Sequence, residues 1–328
     1  MKQLIMEGPA KSKVIEVDIP KINDNQILVK VTYTGMCHSE YYPWLTAKAG
    51  DVFGHETMGV VADVGRSVTG FKIGDRVTGL GGGGFKEYIV MEPSKTMIVP
   101  ENIADEDAVV EPLACMMSVA ERMDIKTVGD EIVIVGAGYM GLGMISLFKA
   151  MGFTSVIAVD KREIALENAK KYGADKVYLT DDLPLAYKLN WQTWEKPDLT
   201  RDGHKTDIFN TGFKTVVEFS GTPDGLNLAA EMVCAHGKLG IAGYHNDGPR
   251  TLDMQLLNLK AATMYNCHER RIEYEVELCR RALKLISNNQ WKFTATAKGH
   301  IYSLEEFDKG NYDMANHTDN FIKGLVKC

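Results

Sequence analysis

Three short segments hold residues whose types could do chemistry. Cys37-His38-Ser39-Glu40 follows a β-branched run, and Gly54-His55-Glu56 and Glu111-Pro112-Leu113-Ala114-Cys115 lie further along. A thiolate, an imidazole and a carboxylate are donors that zinc takes in catalytic sites, where three protein ligands leave a fourth position open. Cys37, His55 and Glu111 are therefore candidate metal ligands. Singly, each has an ordinary reading: a core thiol, a core histidine, an acid easing a helix start. Spacing cannot prove that they converge, because they sit on separate loops. Their weight comes from standing in one chain with a second motif.

That motif is Gly136-Ala137-Gly138-Tyr139-Met140-Gly141. It follows the apolar strand Glu131 to Val135 and opens a run of helix formers, Leu142 to Met151. In this strand–turn–helix setting Gly136 permits the tight turn, Gly138 lets backbone approach a pyrophosphate, and Gly141 lets helix pack on strand. The pyrophosphate meets unpaired N–H groups at the helix N-terminus. A second strand, Ser155 to Val159, ends in Asp160. A carboxylate there accepts from a ribose 2′-hydroxyl and repels a 2′-phosphate, which favours NAD over NADP. Lys161 and Arg162 add cations beside it.

These residues need elements to position them. The 328 residues suffice for about two domains. The first ~110 read as short β-branched runs separated by glycine and Asn-Asp turns: Val14 to Val17, Gln26 to Thr34, Gly59 to Val64, Asp75 to Gly79, Glu87 to Val90. Such a pattern suits a barrel or sandwich. Leu113 to Met123 reads as a helix, and strands and helices then alternate, as in a parallel doubly wound sheet. Within that alternation Gly225 to Cys234 reads as helix. The stretch 180–212, with Pro184, Trp191, Trp194 and Pro197, interrupts the rhythm. A long helix, Glu273 to Ile286, and a strand-like end, Phe321 to Val326, close the pattern.

Composition narrows the partners. Lys plus Arg number 37 against 44 Asp plus Glu, a net charge of −7. An acidic chain has no general attraction to nucleic-acid phosphates or anionic lipid, so neither nucleic acid nor membrane is expected. Hydrophobic residues at 45% and charged residues at 25% suit a globular enzyme. No apolar run reaches the ~18 residues of a membrane span. The six scattered cysteines are not a disulfide framework, so a reducing, cytoplasmic setting is expected.

In this order the motifs resemble those of the zinc-dependent medium-chain dehydrogenases, among them alcohol, sorbitol and threonine dehydrogenases. The resemblance covers nearly the whole chain. It implies an α/β plus β fold: a GroES-like β-barrel catalytic domain from residues 1–114 and 269–328, and an inserted Rossmann doubly wound parallel sheet at 115–268 that binds NAD. It implies Cys37 and His55 as zinc ligands, Glu56 as the acid beside the metal, near it or on it, and Glu111 as the third protein position of the polyol-dehydrogenase branch, with Cys115 its rival because alcohol dehydrogenases usually have Cys at that position. Ser39 matches the hydroxyl that takes the alcohol proton, and His38 and Lys323 match positions that reach the pyrophosphate. Three departures stand out. Gly74-Asp75-Arg76-Val77 leads at once to Gly81 to Gly84, with no four-cysteine lobe between, so one catalytic zinc per chain and no structural zinc is expected. Glu40 replaces the usual Asp behind the ligand histidine and is expected to orient His55 less tightly. Tyr42 replaces the histidine that ends the proton relay.

The function so implied is hydride transfer between a secondary alcohol (a polyol, sugar or cyclitol) and NAD. A simple alcohol or amino-alcohol dehydrogenase is the alternative within the class. A zinc-free reductase and a non-catalytic NAD-binding protein are the competing classes; within the enzyme class, an internal redox role with retained NAD, as in some epimerases, is a further alternative. A homodimer or homotetramer acting on a small molecule is the expected assembly.

Overall fold

The glycine turn stands on a sheet whose strands are apolar on both faces. Glu131–Val135 is buried at every position but the first. It pairs in parallel with Ser155–Asp160 on one side and Phe213–Glu218 on the other. Strands covered on both faces belong to parallel sheets flanked by helices. In this computed structural model, which describes residues 1–125, 130–190, 200–201, 204–205, 211–293 and 300–328, that sheet has six strands. Their order is Lys176–Leu179, Ser155–Asp160, Glu131–Val135, Phe213–Glu218, Val233–Ile241, Thr263–Asn266. Numbered along the chain this is 3-2-1-4-5-6, the doubly wound order with its switch point between the first and fourth strands. Val133, Val135, Ile157, Val159, Val216 and Leu239 form its core. The unit comprises Met116–His268 with Trp291–Phe293.

The second unit comprises Met1–Cys115, Glu269–Gln290 and Thr294–Cys328. Its main sheet has seven strands, running Ile301–Ser303, Leu325–Lys327, Ile27–Gly35, Glu56–Val64, Arg76–Leu80, Thr96–Ile98, with Tyr88–Met91 also paired to Ile27–Gly35. Ile27, Val29 and Val31 alternate inward onto Val61, Val77, Ile89 and Met91. Leu325–Lys327 closes against Tyr33–Gly35, so strands from both ends of the chain sit side by side. Lys2–Gly8 and Lys11–Glu16 form a separate hairpin.

Some boundaries differ from the sequence reading. The helix expected from Gly225 to Cys234 runs Pro223–Met232. Thr222 caps it by accepting from the Gly225 N–H at 3.2 Å, and Pro223 occupies the first helical position. Cys234 lies instead in the Val233–Ile241 strand. The strand expected over Phe321 to Val326 narrows to Leu325–Lys327. Trp191, Trp194 and Pro197 lie outside the described residues. Among those described, no helix is long and apolar enough to cross a membrane.

Candidate metal centre and dinucleotide turn

Cys37 lies just beyond the inner end of the Ile27–Gly35 strand. The chain then tightens into a single 3₁₀ turn, His38–Glu40, with the Glu40 N–H bonded to the Cys37 carbonyl at 3.0 Å. This aims Glu40 back at the His55 segment. Its Oε1 accepts from the Gly54 N–H at 2.8 Å and lies 2.9 Å from His55 Nδ1. Gly54 has φ +97, and a Cβ there would meet the Phe85 and Gly84 nitrogens at 2.9 and 3.0 Å. Only glycine suits the turn that presents His55.

Glu56 begins the neighbouring strand and pairs with Gly35. Cys37, His55 and Glu56 each offer one ligand atom, and these atoms lie within 4.8 Å of one another. Glu56 is wholly buried, and its Oε1 has no hydrogen-bond partner among the described residues. A buried carboxylate oxygen left unsatisfied is costly unless something positive completes it. Its other oxygen faces Lys323 Nζ at 2.5 Å. Lys323 also donates to the Met36 carbonyl at 3.0 Å and is 4% exposed.

The electrostatics favour a cation. Burial alone would lower the His55 pKa, yet hydrogen bonds to Cys37 and Glu40 and the charges of Cys37 and Glu56 raise it to about 12. Burial and the Glu56 charge raise Glu111 to about 7. Burial, followed by the Glu111 charge, lifts the Cys115 thiol well above its usual range. Against burial, Lys323 is raised by Glu56, Cys37 and Glu111. A divalent ion would complete this set if held by Cys37, His55 and Glu56, since thiolate, imidazole and carboxylate are zinc donors. Glu40 on Nδ1 leaves Nε2 of His55 for the metal.

The structure places the remaining sequence candidates as follows. Glu111 heads the Glu111–Arg122 helix, accepts from Cys115 Sγ at 3.5 Å, and stands outside the mutually close trio. Ser39 Oγ donates to Cys37 Sγ at 3.1 Å. Tyr42 is 42% exposed on the Tyr41–Leu45 helix. His38 is exposed beside Tyr41, ring centroids 5.6 Å apart. The longer Glu40 reaches His55 Nδ1 and the Gly54 N–H together. Sequence reasoning missed Lys323 as the partner of Glu56. One signal was available: a lone cation in the apolar run Phe321-Ile322-Lys323-Gly324-Leu325-Val326.

In the other unit Gly136 has φ +99, and a Cβ there would meet the Ser220 nitrogen at 2.6 Å. Gly138 precedes the Tyr139–Ala150 helix, and a Cβ there would meet nothing within 4 Å. This leaves open backbone at a helix N-terminus, the cradle a pyrophosphate takes. Asp160 is buried; it accepts from the Ala137 N–H at 2.8 Å and from Arg162 N and Nε at 3.0 and 3.1 Å.

Residues 23–101 match the family described as "Alcohol dehydrogenase GroES-like domain", and residues 140–288 the one described as "Zinc-binding dehydrogenase". Sorbitol dehydrogenase of Bacillus subtilis (strain 168) is 27% identical over 294 residues, 78% of this chain and 79% of that protein. L-threonine 3-dehydrogenase of Pseudoalteromonas translucida (strain TAC 125) is 28% identical over 260 residues, 68% of this chain and 71% of that protein. Among solved structures, a short chain alcohol dehydrogenase from Escherichia coli CFT073 in complex with NADH superposes with a TM-score of 0.83 at 21% identity, covering 100% of this chain and 99% of that one.

Proposed function

The chain belongs to the zinc-dependent medium-chain dehydrogenases, and from that premise we propose that it oxidises a secondary hydroxyl of a polyol, sugar or cyclitol with NAD. The observation that carries this reading is the acid-rich donor set, with Glu56 Oε1 unpartnered beside Cys37 and His55 and with Glu111 close enough for its pKa to respond to both Glu56 and His55.

Zinc held by Cys37, His55 and Glu56 supplies a Lewis acid, and NAD held by the glycine turn supplies the hydride acceptor. The protein's own residues do the rest. Glu40 fixes the His55 ring through Nδ1. Ser39 Oγ, 3.1 Å from the Cys37 sulfur, is the first station for a departing proton; Tyr42 or water receives it next. Glu56 and Glu111 accept hydrogen bonds from a second hydroxyl, which a diol has and ethanol lacks. Asp160, buried at its strand end, favours NAD; the Arg162 guanidinium on it is the group that a 2′-phosphate would recruit.

A second reading rests on the threonine dehydrogenase relative. The same carboxylates would receive the ammonium of an amino alcohol. One kinetic panel separates the two: sorbitol, xylitol and inositol, then threonine, then ethanol, each with NAD and NADP. Polyols should exceed ethanol at least tenfold in kcat/KM, with NAD preferred. Efficient turnover of ethanol with no polyol above background overturns the substrate class, and threonine alone above background installs the second reading. Equal use of NAD and NADP overturns the role of Asp160. About one zinc per chain is expected, and Cys37→Ala should abolish turnover.

A further inference from the structure

Glu218 is a carboxylate that the reaction above does not use. It ends the Phe213–Glu218 strand, the fourth of the sheet, and is wholly buried. One oxygen accepts from Ser220 Oγ at 2.6 Å and the Gly221 N–H at 2.7 Å. The other lies 3.1 Å from His245 Nε2. The second imidazole nitrogen, Nδ1, lies 2.9 Å from Arg250 Nε. Since Arg250 can only donate, Nδ1 accepts, and the Nε2–H is the one that donates to Glu218. Both ring nitrogens are thereby spent on protein partners. Arg250 goes on to the carbonyls of Gly221 at 3.2 Å and Gly248 at 3.0 Å, and pairs with Asp247.

This relay joins three turns at the carboxyl edge of the sheet. The turn after the first strand touches the turn after the fourth, since a Cβ on Gly136 would meet the Ser220 nitrogen at 2.6 Å. The turn after the fifth strand packs there too. A Cβ on Gly243 would meet the Gly221 nitrogen at 2.5 Å and Glu218 Oε2 at 2.6 Å. The Ala242 and Gly243 N–H groups also bond to the Glu218 carbonyl at 2.9 Å. In an open α/β sheet a ligand lies outside the carboxyl ends, at the switch point, which here falls between the first and fourth strands. Asp160, on the second strand, marks the adenosine side, so the fourth and fifth strands border the opposite half of a dinucleotide.

We infer that Glu218, His245 and Arg250 form a positioning relay that holds the turns after the fourth and fifth strands in place for the nicotinamide half of the cofactor. The inference rests on the dinucleotide reading above. Each residue acts through the loop backbone, so the relay should affect one half of the cofactor and spare the other. The test is calorimetric titration of the full chain with NADH and, separately, with AMP, which carries the adenosine half alone. His245→Leu and Arg250→Met should weaken NADH at least tenfold and leave AMP within twofold. His245→Gln should restore most NADH affinity, because an amide can donate to Glu218 and accept from Arg250 at once. In steady state, KM for NAD should rise more than kcat falls. The relay is overturned if NADH affinity is unchanged in both variants, or if NADH and AMP weaken equally. It is also overturned if His245→Gln behaves as His245→Leu in a protein whose thermal midpoint matches the parent's. Failure of the unaltered protein to bind either ligand would instead strike the dinucleotide reading itself.

Discussion

Gly35 leaves the space that Glu56 fills. The two are paired across neighbouring strands, and a Cβ at Gly35 would fall on Glu56 Oε2. Gly35→Ala should therefore push the carboxylate off Lys323 and out of line with Cys37 and His55. We expect zinc affinity, measured by competition with a chromophoric chelator, to fall by about 10–100-fold, the range seen when groups supporting a metal ligand are disturbed. Full zinc affinity in the folded variant would mean that Glu56 is not held from below. Much of this site was legible as residue types. Cys37, His55 and Glu56 drew attention because thiol, imidazole and carboxylate are metal donors, and the structure brings those three together. The pairing of Glu56 with Lys323 was not legible, because no local pattern links residues that meet only through the sheet.

Helix ends carry their own charges. Glu269 precedes the Ile272–Ser287 helix and accepts from the Arg270 and Arg271 N–H groups at 3.0 Å each and from the Arg271 guanidinium at 2.8 and 2.7 Å. The Arg271 hydrogen bond, opposed by burial and aided by the Arg271 and Arg270 N–H groups, lowers its pKa from 4.5 to about 2. A lowered folded pKa gives stability that is present above the ordinary value and lost as pH falls toward the folded one. Between pH 4.5 and about 2 the parent should lose urea resistance more steeply than Glu269→Gln; parallel loss in both would refute this. At the other end of a helix, the wholly buried Lys260 donates to the Ala230 and Glu231 carbonyls at 2.8 and 2.7 Å, closing Pro223–Met232. Lys260→Met removes both bonds and should cost about 1–3 kcal/mol, read as a lower thermal midpoint; an unchanged midpoint would show that the carbonyls are otherwise satisfied. Element type was readable where composition was extreme, as in Glu131–Val135. Ends were less so: Val233 and Cys234 continue the helical pattern of the preceding residues, and sheet pairing, a long-range effect, takes them into a strand.

At the scale of the molecule the two chemistries belong to different units. Cys37, His55 and Glu56 lie in the unit of residues 1–115, 269–290 and 294–328, and the glycine turn lies in the other. Chelation should thus abolish dehydrogenation while leaving AMP binding within about twofold, and added zinc should restore turnover. Loss of AMP binding together with the metal would contradict this separation. The parallel doubly wound sheet was legible from alternating strand and helix patterns, though not its strand order; which strands of the other unit adjoin was not legible either, since its sheet joins segments far apart in the chain. That sheet sets a schedule for synthesis. Lys323 meets the Met36 carbonyl across 287 positions, which a ribosome adding about 5–20 residues per second covers in roughly 15–60 s. For nearly all of that interval Glu56 has been made and its countercharge has not, while the nearly continuous Rossmann unit emerges and can fold. On stalled nascent chains, protease protection should therefore arrive for the inserted unit first, and for the segment carrying Cys37 and His55 only after Leu325–Lys327 has been made.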